Sequence, residues 1–189
     1  MIRKIEYNAP VTLTFALVSL AVLVLGLFTS NRFTWLLFSV HRSNPADPFF
    51  YLRLFGHVLG HAGWEHYFSN FMLILLVGPI LEDRYGSRTL LMMMAATALI
   101  TSLFHVALFD TTVLGASGIV FMMIMLSAFV NFREGHIPLT VVLVAVIYIG
   151  REVYQGLFTA DDVSQFSHIV GGLTGCVFGF VARGRGGRR

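Results

Sequence analysis

Apolar and polar positions follow one another along this chain in long blocks. Uncharged apolar runs recur from end to end, separated by short groups of charged residues and by glycine or proline. A run of about 20 apolar residues is what an α-helix needs to cross the hydrocarbon core of a bilayer. The pattern therefore predicts an all-α polytopic membrane protein with six transmembrane helices, over residues 11–29, 66–81, 89–109, 113–131, 139–158 and 164–182.

The connection between the first two spans, residues 30–64, has a mixed character. Aromatic and aliphatic residues stand there beside Arg42 and Asp47, and Pro45 and Pro48 interrupt it. A connection of that length without clear structure usually has a function. Its composition predicts a segment lying in the membrane interface on the outer side.

The first span, at residues 11–29, follows Arg3 and Lys4 and so has the outline of a signal peptide. The apolar run is long enough to span, however, and no cleavage pattern of small residues follows it. We interpret it as a retained first helix.

Composition agrees with a single membrane domain over residues 1–189. Hydrophobic residues make up 56% of the chain and charged residues only 12%, about half of the charged share of a soluble domain. The formal net charge of +3 also raises the possibility of nucleic-acid binding. The arginines stand at the ends of apolar runs, so membrane lipids are the predicted partner and nucleic acid is not. The single cysteine, Cys176, excludes an intrachain disulfide.

The basic residues also predict an orientation. With a cytoplasmic N-terminus, nine of the 13 lysine and arginine residues fall in inside segments. Because basic residues accumulate on the cytoplasmic side, both termini are predicted to be cytoplasmic. The fourth and sixth helices then both run from outside to inside.

The candidate chemistry begins at Ser117, which stands between Gly115 and Gly118 at the head of the fourth apolar run. Glycine inside a helix costs about 1 kcal/mol relative to alanine, so the pair suggests that something approaches the hydroxyl closely. A serine in a membrane helix also bonds its own backbone harmlessly, and small residues are ordinary at helix contacts. A partner base decides between the two interpretations.

His168 is the candidate base. Ser117 and His168 each lie about four residues into their predicted helices, which places both about 6 Å below the same membrane face. A stripe of small residues on the sixth helix is predicted to pack against Gly115 and Gly118; it consists of Gly171, Gly175 and Gly179.

A serine paired with a histidine is sufficient for nucleophilic catalysis, because the imidazole takes the hydroxyl proton. Asp161 and Asp162 are expected in water, so a dyad is favoured over a triad. His66 and Asn70, spaced i, i+4 at the outer end of the second helix, are candidate oxyanion donors together with the Ser117 backbone N–H.

Three histidines near the outer membrane edge, His57, His61 and His66, leave an alternative open. They form with Glu65 a polar cluster through which water reaches the site, or they bind zinc. The HExxH spacing is absent, so neither a metal nor another cofactor is predicted.

These residues together resemble the rhomboid intramembrane serine proteases. The resemblance extends over nearly the whole chain, from the first span to the sixth. The matching positions are Arg53, His57, His61, His66-x-x-x-Asn70, Gly78, Glu82, Arg84, Gly86, Gly115-x-Ser117-Gly118 and His168-x-x-Gly171-x-x-x-Gly175.

The resemblance implies a rhomboid-like six-helix bundle that cleaves transmembrane protein substrates within or beside their spans. It implies Ser117 as nucleophile, His168 as base, and His66 and Asn70 as oxyanion-hole residues. A bacterial plasma membrane is the location it implies. Glu82 and Arg84 are expected to hold the inner turn by hydrogen bonding.

Two positions depart from the family pattern. Tyr51-Leu52-Arg53 stands where bacterial members often have Trp-Arg, so Arg53 lacks its tryptophan. Phe121 stands four residues after the serine, where many members have a tyrosine; it can stack on the histidine but cannot donate a hydrogen bond.

A rival function from another class is a non-catalytic membrane protein, either a transporter or a chaperone of membrane segments, that uses the same polar cavity. In the protease interpretation the substrate approaches by the fifth helix, near Arg151 and Glu152. His105 is expected at the interface without a chemical role.

Overall fold

The computed structural model describes residues 5–130, 139–140, 142–143, 146–147, 150 and 162–186, with the side chains of the last segment described over 166–182. Residues 5–130 and 162–186 form seven α-helices: α1 (Pro10–Phe28), α2 (Arg32–Leu37), α3 (Pro48–Gly56), α4 (Trp64–Tyr85), α5 (Ser87–Leu108), α6 (Ser117–Ala128) and α7 (Asp162–Gly186). The described residues between 139 and 150 are also helical. A 3-10 turn at His57–Leu59 follows α3. The predicted all-α class is confirmed for the described residues.

Two of these helices are long and apolar enough to cross a membrane. They are α1, with a mean hydropathy of 2.6, and α5, with 1.9. Shorter apolar helical stretches cover Ser117–Ala128 and Phe166–Ala182. Most of the predicted fifth span, with Arg151 and Glu152, lies outside the described residues, as do Arg3, Lys4 and Asp161.

The core of the described structure is α6. Every residue from Gly118 to Leu126 is buried, and α4, α5 and α7 all pack against this helix. A helix that is apolar on all sides is covered either by other helices or by lipid, and α6 is covered by other helices. The uniform apolar run in the sequence therefore becomes the central helix, and Ser117 lies at its first residue.

The predicted bounds of the second span, residues 66–81, are too short. The helix α4 begins at Trp64 and continues through the charged group Glu82-Asp83-Arg84 as far as Tyr85. Gly86 ends it with a φ of 80°, a backbone conformation that glycine adopts at little cost. Charge alone therefore does not end this helix.

The connection 30–64 is also more regular than its composition predicts, because it contains α2, α3 and the 3-10 turn. Pro48 does not interrupt structure there but occupies the first turn of α3, where a missing N–H is harmless. The Asp47 side chain accepts a hydrogen bond from the Phe49 N–H at 3.0 Å and caps that helix.

Arg53 joins the two short helices. Its side chain is buried, and its Nε donates to the Leu36 carbonyl oxygen at 2.8 Å. The same guanidinium lies 3.2 Å from a carboxylate oxygen of Asp47. A buried charge needs such partners, so Arg53 fixes α2 against α3 just before the histidines at 57 and 61.

Glu82 joins α4 to the start of α1. The carboxylate accepts hydrogen bonds from the Val11 N–H at 2.8 Å and the Thr12 N–H at 3.0 Å. The Thr12 hydroxyl donates to the same carboxylate at 2.8 Å. Glu82 thus caps the first turn of α1, and a hydrogen bond with the Ser87 side chain at the start of α5 also ties it to the predicted inner turn. Arg84 is exposed and has no side-chain hydrogen bond within the part of the chain that the structure describes.

Glu82→Gln is expected to destabilise the protein by about 1–3 kcal/mol, because a charged acceptor of three hydrogen bonds is replaced by a neutral amide with one acceptor oxygen. The measurement is the free energy of unfolding in mixed micelles. Asp83→Asn, at the exposed neighbouring carboxylate, is the matched control and should change it little. Equal losses in the two variants would contradict the capping role.

Candidate active site

Ser117 is the first residue of α6, so the prediction that it lies four residues inside a helix is wrong. The four preceding residues are not helical, because Val113 forms an antiparallel bridge with Val40 and Gly115 has a φ of 126°. Few residues other than glycine adopt that backbone conformation. As a consequence, the backbone N–H of Ser117 belongs to the first turn, whose N–H groups have no partner inside the helix.

Gly115 contacts α4 rather than the sixth helix of the sequence prediction. A side chain at Gly115 would meet Nε2 of His66 at 2.6 Å. The Gly115 N–H also donates to the His57 carbonyl oxygen at 2.9 Å. Glycine therefore lets the His66 ring lie against the backbone two residues before Ser117.

The helices α6 and α7 cross with their backbones in contact. A methyl group on Gly171 would collide with the carbonyl oxygen of Gly118, and one on Gly175 would collide with that of Met122. A Cβ on Gly118 would stand 3.6 Å from the carbonyl oxygen of Ser167. Absent side chains let helix axes approach this closely, and the residues beside Ser117 thereby meet the residues beside His168.

The contact between α6 and α7, and not an equal depth in the membrane, brings Ser117 and His168 together. His168 is the seventh residue of α7, because the helix already begins at Asp162, whereas Ser117 is the first residue of α6. Ser117 and His168 are therefore not equally far from the starts of their helices, and the prediction that each lies about four residues into its helix is wrong. The two segments come together because Gly171 lies on Gly118.

The ring of His168 stacks on Phe121. Their centroids are 4.5 Å apart and the ring planes differ by 7°. Phe121 is buried, one helical turn after Ser117, so its ring is held by the core. A parallel stack restricts tilting of the imidazole away from the Phe121 ring. Phe121 stands four residues after Ser117, where the family pattern often has a tyrosine, and it orients the histidine by packing.

A small cavity of about 10 Å³ adjoins Ser117. That volume is about what one water molecule requires. Its polar lining residues are Ser117, Thr101 and Ser167, with His57 on the connection side. A site buried in a membrane protein therefore keeps polar groups next to its serine.

His66 and Asn70 share one face of α4. The Asn70 amide donates to the His66 carbonyl oxygen at 2.9 Å, and its side chain is buried. The His66 ring also lies edge-on to His61, with centroids 4.9 Å apart. His61 is itself fully buried against Tyr67 and Phe71, so the His66 ring is held from two sides.

The model of one protein family, the rhomboid domain, matches residues 49–185. The chain belongs to the rhomboid family. The family includes serine intramembrane proteases and also inactive relatives. Membership together with the apolar helices makes this rhomboid an integral membrane protein with a polytopic helical fold.

In the rhomboid domain, some of the predicted site residues lie close to Ser117 and others lie away from it. Around Ser117 it brings the backbone of Gly115 with His66, the Gly118–Gly171 crossing, and Phe121 with His168. Gly175 and Gly179 continue the α6–α7 contact away from the serine, where Gly179 lies against the Phe129 ring. Arg53 and Glu82 belong to the contacts between helices, and Arg84 is exposed at the end of α4.

The sequence does not predict two polar residues that lie beside Ser117 in this rhomboid. Thr101 and Ser167 line the cavity beside Ser117. Ser167 is the immediate neighbour of the candidate base, and Thr101 is one turn from Thr97, whose hydroxyl lies 3.3 Å from that of Thr174 on α7. The signal for Thr101 is its i, i+4 pairing with Thr97 on α5, a pattern easily attributed to bonding with the helix's own backbone.

His105 is buried rather than interfacial. Its Nε2 lies 2.8 Å from the Thr111 carbonyl oxygen, and its ring stacks on Phe109.

The alternative of a zinc site gains no support, because the described residues contain no group of three histidine, cysteine or acidic side chains placed to hold a metal ion.

Two histidines of the connection before α4 have strongly lowered pKa values. Burial, the largest cause, lowers the pKa of His57 to about 4 and that of His61 to about 4 from the ordinary 6.5. Backbone hydrogen bonds to the His57 ring act in the opposite direction but do not compensate. Both rings are therefore neutral at physiological pH.

The rhomboid is expected to lose stability as the pH falls from 6.5 towards 4. In that window the unfolded chain binds protons that the folded His57 and His61 rings do not, so the free energy of unfolding decreases; below pH 4 the slope from these groups disappears. Melting temperature against pH in detergent measures this. His57→Gln should flatten the curve, and an unchanged slope would contradict the assignment.

Proposed function

We propose that this rhomboid is an intramembrane serine endopeptidase that cleaves transmembrane-helix substrates by a Ser117–His168 dyad. The carrying observation is the crossing of α6 and α7, in which Gly171 lies on the backbone of Gly118. This contact joins the residue after Ser117 to the turn of α7 that follows His168. The stacking of His168 on Phe121, in the next turn after the serine, supports the same pairing.

The proposed reaction begins with transfer of the Ser117 hydroxyl proton to His168. The serine Oγ then forms a bond to the carbonyl carbon of the scissile peptide, whose oxygen becomes an oxyanion. The C–N bond breaks as His168 gives its proton to the leaving nitrogen, which leaves an acyl-serine. Water attacks the ester carbonyl while His168 accepts the water proton. His168 then returns that proton to the Ser117 oxygen as the ester C–O bond breaks, which releases the new carboxyl end.

The oxyanion in this mechanism is stabilised by three groups. The Ser117 N–H is in the first turn of α6, where the helix dipole favours negative charge. The His66 ring lies against Gly115, and Asn70 is one turn along the same face of α4. The Asn70 amide nitrogen uses one proton for the His66 carbonyl and keeps a second.

His66→Ala and Asn70→Ala are each expected to raise the barrier to cleavage by about 2–4 kcal/mol, because each removes one oxyanion donor. The loss should appear in kcat for a transmembrane substrate. Ser69→Ala is the matched control, since Ser69 lies on the same helix and its exposed hydroxyl bonds only the His66 carbonyl. A Ser69→Ala loss as large as that of Asn70→Ala would contradict the donor role.

Hydrolysis inside a membrane also requires water, and the cavity beside Ser117 supports it. Thr101, Ser167 and His57 are among the residues that line this volume of about 10 Å³. One water held there has hydrogen-bond partners and is adjacent to the serine that carries the acyl group.

The proposal includes an orientation and a location. The basic residues of the sequence support cytoplasmic termini, which places the start of α6, and with it Ser117, near the outer face of a bacterial plasma membrane. Reporter fusions at the two ends measure this. An external C-terminal reporter would reject the orientation.

The test of the proposal is labelling with a fluorophosphonate, which reacts with activated serines. The purified protein should be labelled at Ser117, and His168→Ala should abolish the labelling because the hydroxyl loses its base. The protein should also cut a transmembrane reporter substrate in lipid vesicles. A folded wild-type protein that shows neither reaction would favour the rival function of a non-catalytic transporter or membrane-segment chaperone.

A further inference from the structure

A second cavity, of about 160 Å³, lies between α1, α3, α5 and α6. Every residue that lines it is apolar. Three of them, Phe55, Leu91 and Ala95, are exposed and form its mouth. The buried floor consists of Met94, Ala98 and Ile119.

The mouth of this cavity is continuous with the membrane-facing surface. Leu91 and Ala95 belong to α5, one of the two helices of membrane length, and α1 is the other. Because the protein is an integral membrane protein, the medium outside these apolar side chains is hydrocarbon. An apolar cavity of about 150 Å³ accommodates a molecule of about six carbon atoms, so this one suits a segment of a lipid chain.

A positive charge stands on the same face of α5. Arg88 is exposed in the first turn, and Leu91 and Ala95 follow it at i+3 and i+7, which places the three on one side of the helix. Arg88 is about 10 Å from Ala95 along the axis. A lipid phosphate at Arg88 therefore places the middle of its acyl chain at the cavity mouth.

We propose that this cavity binds an acyl chain of an anionic phospholipid whose phosphate contacts Arg88. The headgroup is recognised by charge at the end of α5. The chain is bound by van der Waals contacts of its methylene groups with α5 and the residues after α3. This site is separate from Ser117 and does not depend on the proposed proteolysis.

The experiment uses the full chain in phosphatidylcholine vesicles that contain phosphatidylglycerol with a diazirine midway along one acyl chain. Irradiation followed by peptide mass spectrometry should locate cross-links at the mouth, around Phe55 and residues 91–95. Ala95→Phe fills the mouth. The excluded chain loses dispersion contacts with the cavity wall, and about ten lost contacts correspond to about a tenfold change in occupancy, so these cross-links should fall by about tenfold.

Met92→Phe is the matched control, because Met92 is exposed on the same helix and does not line the cavity. It should retain the wild-type cross-links. Leu91→Trp provides a second variant of the mouth should Ala95→Phe not fold. Cross-links spread evenly over α1 and α5, or unchanged in the folded mouth variants, would overturn the chain site.

The headgroup is tested by the same diazirine chain on phosphatidylcholine. Wild-type protein should favour the phosphatidylglycerol probe at the cavity, and Arg88→Gln should remove that preference while leaving cavity labelling in place. Equal labelling by the two lipids in the wild type, or a preference that survives Arg88→Gln, would overturn the assignment to an anionic lipid.

Discussion

Ser117→Ala is expected to abolish cleavage of a transmembrane substrate, with a loss of at least about 10⁴-fold in kcat. The reason is chemical, because alanine offers no oxygen to attack the scissile carbonyl. The fold should be unaffected, since Ser117 lies at the helix start beside a small cavity and the lost hydroxyl leaves no large void. The measurement is single-turnover cleavage in lipid vesicles, together with the melting temperature.

Ser127→Ala is the control for the serine prediction. Ser127 lies on the same helix, and its hydroxyl donates to the Ile124 carbonyl oxygen at 2.7 Å, within its own backbone. This variant should cleave at the wild-type rate. Substantial cleavage by a purified Ser117→Ala protein would reject the dyad, whereas equal losses in both variants would point to damage of α6 and not to lost chemistry.

Gly171→Ala is expected to be the second most harmful change. A single methyl group there meets the carbonyl oxygen and Cα of Gly118, and neither backbone atom can rotate away. The helices must therefore separate, which costs about 1–3 kcal/mol of stability. A displacement of about 1 Å between Ser117 and its base is expected to reduce kcat by about 10²-fold.

Gly172→Ala is the matched control for the crossing. The neighbouring glycine has only the Met125 Cγ near, at 3.5 Å from an added Cβ, which is an ordinary contact. This variant should keep both its melting temperature and its cleavage rate. If Gly171→Ala were as active as Gly172→Ala, the close contact of α6 with α7 would not be what brings His168 to the serine.

The sequence predicts those elements whose signal is local. The helices α1 and α5 follow from apolar length alone, and their observed bounds lie close to the predicted ones. The start of α6 does not, because Val113 and Leu114 are as apolar as the helix that follows. What removes Val113 from the helix is its pairing with Val40, a contact across more than 70 residues that hydrophobic periodicity does not contain.

The same limit applies to the candidate site. The small residues around Ser117 and on α7 indicate close backbone contacts, yet the sequence does not say which glycine contacts which helix. Gly118 meets α7, whereas Gly115 meets the His66 ring on α4. The sequence does not single out Thr101, because a threonine in an apolar helix is usually bonded to its own backbone, as this one also is.

The hydrogen bonds from the first turn of α1 to Glu82 can form only after residue 82 has been synthesised. Thr12 and Glu82 are 70 positions apart, and ribosomes add about 5–20 residues per second, so roughly 4–14 s pass before the nascent chain contains the acceptor. During that interval α1 is a solitary span whose first turn has no cap from the protein. Once the end of α4 has been synthesised, Glu82 therefore links α1, the first helix to be made, to the helices that follow it.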